Sequence, residues 1–382
     1  MKFITNKADI LPVIKAVGTV CESKPVNAAL SSLRLNVNGD KLQVMGSDGE
    51  TTIAGIVPIM RDPMDADSTR IFLVEADIIR DAVSELPEGQ ILLRLDDAKP
   101  NTLQIEWAAG AGKATMPITD DKDFQTPVSL PKDAPVVMIP AGQLRDALNG
   151  TVYATANDDL RPSLSGVLFE IARDVVNLVA SDSHILVWHN AAVGKNTGEE
   201  NHQFILHNHP AGLLKGILKG AEGDVRVSYS DKNAVFTCGS YRVTVRLIDA
   251  KYPSYRSIFP KDNDCSLVVN RASFTGALRR VSISADNKNR VVILSLNEDG
   301  KVQIKASNKD RGGSSVEKVD GVYSGKTFDI GLHSQMLQDI LAKFSSEEVV
   351  IRMKEPTKAA IISPKTEEAK TYEALIMPLM IA

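Results

Sequence analysis

The feature that most constrains this chain is a pattern that returns about every 130 residues. Between Ala76 and Leu95, apolar residues recur at helical spacing, and a Pro-Glu-Gly break then leads into a β-rich run. Nearly the same pattern returns at His209–Ser228 and at His333–Met353. Self-similarity at a fixed long period indicates tandem copies of one fold, so we expect a repeat of one domain.

A second marker has the same period. Three strand-like segments contain Ser47, Ser181 and Ser307 near their ends, and these serines lie 134 and 126 residues apart. A short helical stretch precedes each segment, and the three stretches are Ala8–Val20, Ala141–Thr151 and Ala272–Ile283. We therefore predict three domains, each built from two halves that combine a helix with a sheet.

The domain boundaries follow from two stretches that are poor in large apolar residues or rich in proline. We predict domains at 1–123, 136–252 and 262–382, with linkers at 124–135 and 253–261. Strand patterns outnumber helical ones in each copy, and Asn38-Gly39-Asp40 between two alternating segments indicates a hairpin. The expected class is α+β, with antiparallel sheets and helices on one face.

The composition is that of an ordinary globular protein. Apolar residues make up 43% and charged residues 24% of the 382 residues, and no apolar run approaches 18 residues. Because the N-terminal residues also lack an apolar signal core, we expect a cytoplasmic protein. The three cysteines, Cys21, Cys238 and Cys265, form no CxxC pair, so they suggest neither a disulfide framework nor a zinc site.

Charge is distributed unevenly along the chain. The net charge is −4, which by itself argues against nucleic acid as a partner. The six expected helices nevertheless carry eight basic and six acidic residues, which leaves −6 for the remainder. The polar faces of the helices are therefore the relatively basic part of an acidic protein.

Six segments, taken in order, resemble one known family. They are MKF at the start, Arg161–Glu170 (RPSLSGVLFE), Val179–Leu186 (VASDSHIL), Leu247–Pro260 (LIDAKYPSYRSIFP), Arg279–Ser295 and Tyr372–Met380 (YEALIMPLM). Together with the threefold repeat, these segments resemble the bacterial sliding clamps, the β subunits of DNA polymerase III. The resemblance covers the whole chain.

The resemblance implies a fold and a function. Three similar clamp domains would form a half-ring with helices inside and sheets outside, and two chains would close head to tail around duplex DNA. The chain would then be a non-catalytic processivity subunit without a cofactor. Its partners would be double-stranded DNA of any sequence, a second copy of itself, and polymerase and clamp-loader subunits that bind through short peptide motifs.

The resemblance and the helix positions together suggest which residues face DNA. Lys24 and Arg161 match positions where the family places DNA-contacting basic side chains. The other candidates rest on helix position alone, and they are Arg80, Lys215, Lys219, Arg279, Arg280 and Lys343. Contacts to phosphate carry no sequence information, so such a lining suits sliding.

Two further surfaces are implied by the resemblance. An apolar partner pocket would contain Leu164, Ser181, His184, Leu186, Pro253, Ile258, Leu375, Met377, Pro378 and Leu379. The dimer interface would use Lys113, Ala114 and Met116 of one chain with Ile283, Ser284 and Lys288 of the other. From pattern alone, Leu375–Ile381 would instead be a closing edge strand, and His184 a half-buried histidine.

The chain departs from the family pattern at several positions. Ser183 and Ile185 stand where Gly and Arg are common, Pro162 and Ser163 replace an aromatic pair, and Met380 replaces a basic residue. These departures leave the peptide preference open, as well as whether this is a host clamp or one carried by a phage or mobile element.

Two alternative functions remain from the residues themselves. His202, His207 and His209 could ligate a metal, although carboxylates at suitable spacing are missing and strand alternation would send His207 and His209 to the same solvent-facing side. No GxSxG elbow or P-loop occurs. The second alternative is a structural repeat protein unrelated to DNA.

Overall fold

The computed structural model describes residues 1–23, 25, 27–61, 69–96, 98–157, 160–198, 201–286, 288–308, 312–366 and 371–381. The chain divides into two compact units. Unit 1 contains Met1–Gly142, Gly194–Glu199 and Gly212–Leu247, and unit 2 contains Gln143–Val193, Glu200–Ala211 and Ile248–Ala382. The two units are described separately.

The helices of the described residues lie close to the predicted positions. They are α1 (Lys7–Gly18), α2 (Ala76–Glu85), α3 (Ala141–Thr151), α4 (Asn208–Ile217), α5 (Arg271–Ser282) and α6 (Ser334–Leu341). α2 buries Ile79 and Val83, and α5 buries Phe274, Leu278 and Val281. The spacing of these residues places them on one helix face, which packs against the sheets.

The strands of the first half of the chain begin at its N-terminus. They are β1 (Lys2–Asn6), β2 (Ser32–Asn38), β3 (Lys41–Ser47), β4 (Thr51–Pro58), β5 (Met60–Arg61), β6 (Arg70–Glu75), β7 (Gln90–Asp96), β8 (Lys99–Trp107), β9 (Gly112–Pro117), β10 (Val136–Pro140), β11 (Gly166–Ile171), β12 (Val175–Ser181), β13 (Ile185–Ala192) and β14 (Lys195–Asn196).

The remaining strands lie in the second half of the chain. They are β15 (His202–His207), β16 (Asp224–Tyr229), β17 (Asn233–Cys238), β18 (Tyr241–Arg246), β19 (Cys265–Asn270), β20 (Val291–Leu296), β21 (Val302–Asn308), β22 (Gly313–Val319), β23 (Gly321–Ser324), β24 (Phe328–His333), β25 (Glu348–Met353), β26 (Ala360–Pro364) and β27 (Tyr372–Ile376). The predicted class, α+β with antiparallel sheets, is confirmed.

Unit 1 contains two sheets. The five-stranded sheet has the order β5-β1-β7-β8-β9, and the nine-stranded sheet has the order β14-β10-β16-β17-β18-β4-β3-β2-β6. In the nine-stranded sheet, β2 and β3 form the predicted hairpin, with Gly39 at a φ of +56°. Strands of the first and second repeats meet where β4 pairs antiparallel with β18, with Thr52 opposite Thr244.

Unit 2 repeats this plan. Its nine-stranded sheet has the order β15-β11-β12-β13-β27-β26-β25-β19-β23, and its four-stranded sheet has the order β22-β21-β20-β24. Strands of the second and third repeats meet where β13 pairs antiparallel with β27, with Leu186 opposite Leu375. β27 is therefore an inner strand, so the alternative that made Leu375–Ile381 a closing edge strand packed in the core is wrong about the edge, although Leu375 does pack in the core.

The turns that follow β3 and β12 have the same hydrogen bonds, which supports the repeat. In unit 1, Asp48 Oδ1 accepts from the amides of Glu50 (2.9 Å) and Thr51 (2.6 Å). In unit 2, Asp182 Oδ1 accepts in the same way from His184 and Ile185, both at 2.8 Å. An aspartate that bonds amides two and three residues onward fixes a tight turn.

The serine before each aspartate has an equivalent role. Ser47 Oγ donates to the Thr51 carbonyl at 3.1 Å, and Ser181 Oγ donates to the Ile185 carbonyl at 2.7 Å. These are two of the serines that mark the repeat in the sequence. The spacing of 134 residues therefore corresponds to one structural element used twice.

Candidate functional surfaces

The basic residues of the helices are only partly available to a ligand. Lys24 lies outside the described residues. Arg80 on α2 is held by Asp77 at 2.6 Å and by Asp81 at 2.9 Å, and hydrogen bonding to Asp81 raises the pKa of its guanidinium. A guanidinium that already faces two carboxylates has less charge to offer a phosphate.

The two arginines in the last turn of α5 differ in their surroundings. Arg280 forms a two-pronged pair with Glu317 of β22, with Nε–Oε2 at 3.0 Å and Nη2–Oε1 at 2.5 Å. Arg279 is exposed, and within the described residues it has no ion pair. A cation in the last turn of a helix also suits the helix dipole. Arg279 is the more available of the two.

The lysine candidates need two corrections. Lys215 lies in the last turn of α4 and is half-buried, as predicted for a helix residue. Lys219 and Lys343 were assigned to helices but lie beyond the ends of α4 and α6. α4 ends at Ile217, one residue before the last apolar stripe residue Leu218, and Gly220 then adopts a φ of +78°. α6 ends at Leu341, three residues before the last stripe residue Phe344, where the Ala342 amide donates to the carbonyls of Gln338 and Ile340.

Lys343 has a neighbour that draws it away from solvent. Its Nζ lies 5.1 Å from the ring centroid of Tyr153, in a cation–π contact. The Tyr153 hydroxyl lies 3.3 Å from the Tyr372 hydroxyl, and burial raises the pKa of Tyr153. Lys343 and Tyr372 also line a cavity of about 700 Å³ in unit 2.

The described helices carry the same numbers of basic and acidic residues as predicted, but some of the basic residues are different ones. In the described helices there are eight basic residues, Lys7, Lys15, Arg80, Arg145, Lys215, Arg271, Arg279 and Arg280. The acidic ones are Asp9, Asp77, Asp81, Glu85, Asp146 and Asp339. Arg145 pairs with Asp146 at 3.0 Å, so the excess positive charge of the helices is small.

Arg161 lies beside the turn that follows β12. It precedes a short 3-10 helix, Pro162–Leu164, and its guanidinium donates a hydrogen bond to the Ser183 hydroxyl. Ser183 has a φ of +81°, in the left-handed region that favours glycine. The equivalent residue of the first repeat is Gly49, with a φ of +94°.

Three members of the expected partner pocket come together as the floor of one apolar cluster. Leu164, Leu186 and Leu375 pack with Tyr252 and Tyr255, and Leu375 is only 1% exposed. The other buried members of the cluster are Ala156, Leu168, Val179, Ile205 and Ala359. These three leucines are therefore core residues of unit 2.

The exposed members of the expected pocket set lie in the second linker and in the C-terminal segment. Ile258 is 48% exposed and Met377 is 40% exposed, and Pro253 is exposed as well. The Met377 amide donates to the carbonyl of His184 at 2.8 Å, and the Leu379 amide donates to Gly331 at 2.8 Å. Of the remaining expected members, Ser181, Pro378 and Leu379 are half-buried, and the side chain of His184 is exposed.

Glu170 of β11 was not singled out in the sequence, yet it fixes the linker beside this pocket. Its carboxylate accepts from the Tyr255 hydroxyl at 2.8 Å, from Arg256, and from Asn177 at 3.1 Å. Burial opposes ionisation of Glu170, but the bonds from Tyr255 and Arg256 outweigh it and lower its pKa. No local sequence signal reveals this role, because Glu170 and Tyr255 are 85 residues apart.

The expected dimer residues lie in the edge strand β9 and in the segment that follows α5. Lys113, Ala114 and Met116 belong to β9, the last strand of the five-stranded sheet, and Met116 is buried. In unit 2, Ile283 follows α5 and is 85% exposed. Lys288 is exposed a few residues further along.

Ser284 connects the end of α5 to β22, a strand that the sequence patterns do not predict. Its hydroxyl lies 2.7 Å from that of Ser315 on β22. Within the described part of the chain, β22 is the edge of the four-stranded sheet and pairs with β21 alone. Its sequence, GSSVEKV, has no apolar alternation, so no local signal reveals this strand; its alternation of exposed and half-buried residues is visible only in the structure.

The histidine cluster does not form the expected strand arrangement. His202 begins β15 and His207 ends it, but His209 lies in α4, so strand alternation does not apply to it. Among the described residues, no group of three or more His, Cys, Asp or Glu side chains is placed to hold a metal ion. In the part of the chain that the structure describes, no helix is long and apolar enough to span a membrane.

Comparisons with known proteins agree with this arrangement. The chain is 25% identical to a beta sliding clamp of Pseudomonas putida and 24% identical to that of Escherichia coli K12, each over the full length of both chains. It matches a sliding clamp structure from Pseudomonas aeruginosa with a TM-score of 0.91 at 24% identity, covering all of both chains. A Thermotoga maritima DNA polymerase III beta subunit matches with a TM-score of 0.90 at 20% identity, also over both full chains.

Profiles of one family account for nearly the entire sequence. The N-terminal, central and C-terminal domains of the DNA polymerase III beta subunit match residues 1–125, 138–254 and 256–380, respectively. Three successive matches in the family's own order agree with the threefold repeat. The chain therefore belongs to the DNA polymerase III beta subunit family.

Proposed function

We propose that this chain is a sliding clamp whose ring closes when β22 of one copy pairs with β9 of a second copy. The observation that carries this proposal is a junction that occurs twice inside the chain. β4 of the first repeat pairs with β18 of the second, and β13 of the second repeat pairs with β27 of the third. In each junction, the second strand of a hairpin (β4 or β13) pairs with the last strand of the following repeat (β18 or β27).

The equivalent strands can be identified from a shared contact. Thr119, Ile248 and Leu379 each form an isolated antiparallel bridge seven residues after the first residue of β9, β18 and β27. β9 is therefore the counterpart of β18 and β27 in the first repeat. β22 is likewise the counterpart of β4 and β13, because each follows the strand that contains a repeat-marking serine.

In the internal junctions, β4 and β13 pair with β18 and β27, but the equivalent strands β22 and β9 have no such pairing partner in the described part of the chain. Among the strands that the structure describes, β9 pairs only with β8 and β22 pairs only with β21. An exposed strand edge is a template for pairing with another chain. If these edges pair head to tail in two copies, a ring closes through two identical interfaces. Each interface, or seam, consists of β22 of one copy and β9 of the other.

The internal junctions also set the register of the proposed seam. Thr52 lies opposite Thr244 and Leu186 opposite Leu375 in the two internal junctions. By equivalence, Ser314 lies opposite Thr115 of the second copy. The next residues along β22 then place Val316 opposite Lys113, and Glu317 opposite Gly112.

The function follows from this topology and requires no reactive group. A closed ring around duplex DNA stays on the duplex without holding one position, and it tethers a polymerase for processive synthesis. The chain is thus a non-catalytic processivity factor, which replaces the alternatives of a structural repeat protein and a histidine metalloenzyme. Weak attraction to phosphates suits sliding, since many strong pairs would arrest it.

The DNA-facing residues are proposed from exposure and charge. Lys219 and Arg279 are the favoured contacts, since both are exposed. The half-buried Lys215 and Arg161, which donates a hydrogen bond to Ser183, are retained as candidates, as is Lys24 from the family position. Arg80, Arg280 and Lys343 are weaker contacts, because carboxylates or an aromatic ring already engage them. The domain boundaries 1–123, 136–252 and 262–382 and a cytoplasmic location complete the proposal.

A partner peptide is proposed to bind over the cluster of Leu164, Leu186 and Leu375. Ile258 and Met377 are its exposed apolar rim, and an exposed apolar patch beside polar residues is typical of an interaction site. The flexible Met377 side chain can adapt to several ligands. Polymerase and clamp-loader subunits are the proposed partners.

The experiment that tests the ring is retention on DNA after loading by a clamp-loader complex at moderately high salt. Retention on a closed circle and loss after linearisation are the expected results, since only topological linkage distinguishes the two. Equal loss from both forms would mean purely electrostatic binding and would end the ring proposal.

A further inference from the structure

The two internal junctions differ in the residues that occupy one equivalent pair of positions. At the junction of the second and third repeats, Leu186 lies opposite Leu375, and both belong to the apolar cluster of the expected partner pocket. At the junction of the first and second repeats, the same positions hold Thr52 and Thr244. The first junction therefore has two hydroxyl groups where the second has two leucine side chains.

A cavity of about 290 Å³ is lined by this pair of threonines. Its other walls are the turn after β3, the residues around Lys232 and Arg246, and the first-linker segment Gln125–Val128. All of these residues belong to unit 1. In unit 2, the turn after β12 and the second linker supply members of the expected partner pocket. The cavity of unit 1 is thus the internal counterpart of that pocket, with a polar floor.

The floor of the cavity favours a polar ligand. Thr244 is 6% exposed and lines the cavity, and in the described part of the chain its hydroxyl has no hydrogen-bond partner. The hydroxyl of Thr52 lies 3.1 Å from that of Ser47. An apolar side chain that covered the Thr244 hydroxyl would remove it from water without giving it a partner, which is costly. A ligand oxygen that accepts from this hydroxyl avoids the cost.

The charges around the cavity favour an acidic ligand. Among the described residues that line it, the charged ones are Lys232, Arg246 and Glu50, and all three are exposed. Arg246 Nη1 lies 3.1 Å from Glu50 Oε1. An exposed ion pair of this kind contributes little, so a ligand carboxylate can compete with Glu50 for Arg246. Two cations against one carboxylate leave the rim with a net positive charge.

The first linker adds backbone groups to this site. Within the described residues, no hydrogen bond involves Gln125, Thr126 or Val128. The second linker differs, because Tyr255 and Arg256 hold it to Glu170. Unpaired amide and carbonyl groups beside a side-chain cavity are what the main chain of a bound peptide pairs with. A peptide therefore suits this cavity better than a free small molecule.

We propose that the cavity of the first junction is a second peptide site, which takes an acidic segment of a partner protein. A glutamate or aspartate of that segment lies over Thr52 and Thr244, and its carboxylate accepts from the Thr244 hydroxyl and from Lys232. This inference rests on the proposed partner pocket, which it takes as the structural counterpart. The chain then holds an apolar partner segment at one junction and an acidic segment at the other.

The probe that tests the site is the blocked peptide acetyl-Ser-Glu-Ser-Glu-Ser-amide. It is titrated into the full-length chain carrying isotope-labelled threonine methyl groups, and the methyl resonances are followed by NMR. We expect the resonances of Thr52 and Thr244 to shift and saturate together. The analogue with leucine in place of both glutamates should bind about tenfold more weakly, since it offers the hydroxyl no acceptor. Equal affinities, or no shift at either threonine, would overturn the proposal.

Two substitutions test the floor and the rim. Thr244→Val removes the hydroxyl and nearly keeps the side-chain shape, so it should weaken binding of the glutamate peptide about tenfold without lowering the urea unfolding midpoint. Lys232→Gln should weaken binding several-fold. Lys41→Gln is the matched control, since Lys41 is an exposed lysine of unit 1 that does not line the cavity, and it should have no effect. Unchanged affinity in both Thr244→Val and Lys232→Gln would exclude the site.

Failure of this inference can be told apart from failure of the proposed function. A parent chain that is retained on circular DNA and binds a polymerase peptide, but not the glutamate peptide, would refute the second site alone. A parent chain that fails the retention assay, but binds the glutamate peptide with the expected effects of Thr244→Val and Lys232→Gln, would refute the ring and keep the site.

Discussion

The guanidinium of Arg161 donates a hydrogen bond to the hydroxyl of Ser183, and Ser183 adopts a left-handed backbone conformation with a φ of +81°. The same turn in the first repeat has Gly49 at this position. A residue with a Cβ atom is disfavoured there by about 1 kcal/mol. The contact with Arg161 is the only gain that the described turn offers for having serine in place of glycine.

Substitutions at Ser183 separate the backbone cost from the hydrogen bond. Ser183→Gly should be more stable than Ser183→Ala by about 1 kcal/mol, because both lose the hydroxyl but only glycine relieves the strained φ. The free energy of unfolding from urea titrations measures this difference. Gly49→Ala is the parallel variant in unit 1 and should lose a similar amount; equal stability of the two Ser183 variants would contradict the strain.

The Glu170 network predicts a pH-dependent stability. Glu170→Ala should destabilise the chain by about 2 kcal/mol near pH 7, since it leaves Tyr255 and Arg256 without their shared acceptor. Glu170→Gln keeps an acceptor oxygen and should lose less. Unfolding midpoints of the three proteins in urea provide the comparison.

The direction of the pH effect follows from the lowered pKa of Glu170. A carboxyl whose pKa is lower in the folded than in the unfolded state adds stability above its ordinary value of 4.5, and this stability declines as the pH falls through the folded value. The difference between the parent and Glu170→Gln should therefore be full at pH 7 and shrink below about pH 4. A constant difference from pH 7 to pH 3 would contradict the assignment.

The exposed and paired arginines should differ in their effect on DNA binding. Arg279→Ala should reduce the slope of log affinity against log salt by about 0.9, the value for one lost phosphate contact. Arg80→Ala is the matched control and should change the slope less, because Asp77 and Asp81 already neutralise Arg80. Fluorescence anisotropy with a labelled duplex at several salt concentrations measures both slopes, and a larger change for Arg80→Ala would contradict the ranking.

Substitution of the exposed rim residue Met377 should weaken peptide binding while leaving the free energy of unfolding nearly unchanged. Met377→Ala should weaken binding of a peptide from the polymerase subunit by several-fold while changing stability by less than about 0.5 kcal/mol, because Met377 is exposed. Leu375→Ala should cost about 2–5 kcal/mol of stability, because Leu375 is buried in the cluster. Peptide titrations and urea unfolding of both variants distinguish the rim from the floor.

Sequence patterns predicted some surfaces better than others. Ile283 follows α5 and Lys113 lies in β9, and both side chains are exposed, but their place in a dimer interface stays a prediction. Lys343 was assigned to a helix face, but a cation–π contact with Tyr153, 190 positions away in the chain, determines where its charge lies. Ion pairs such as Arg280–Glu317 were equally hidden, because local periodicity says nothing about which strand packs beside a helix.

The sequence alone determined the threefold repeat, the α+β class and the family, because apolar periodicity and the serine-marked turns are encoded within short segments. The tertiary structure alone decided that Leu375 is an inner-strand core residue, that Glu170 fixes the linker, and that β9 and β22 are left with an open edge. Each of these depends on which distant strands pair, and pairing is set by the packing of whole sheets rather than by any single segment.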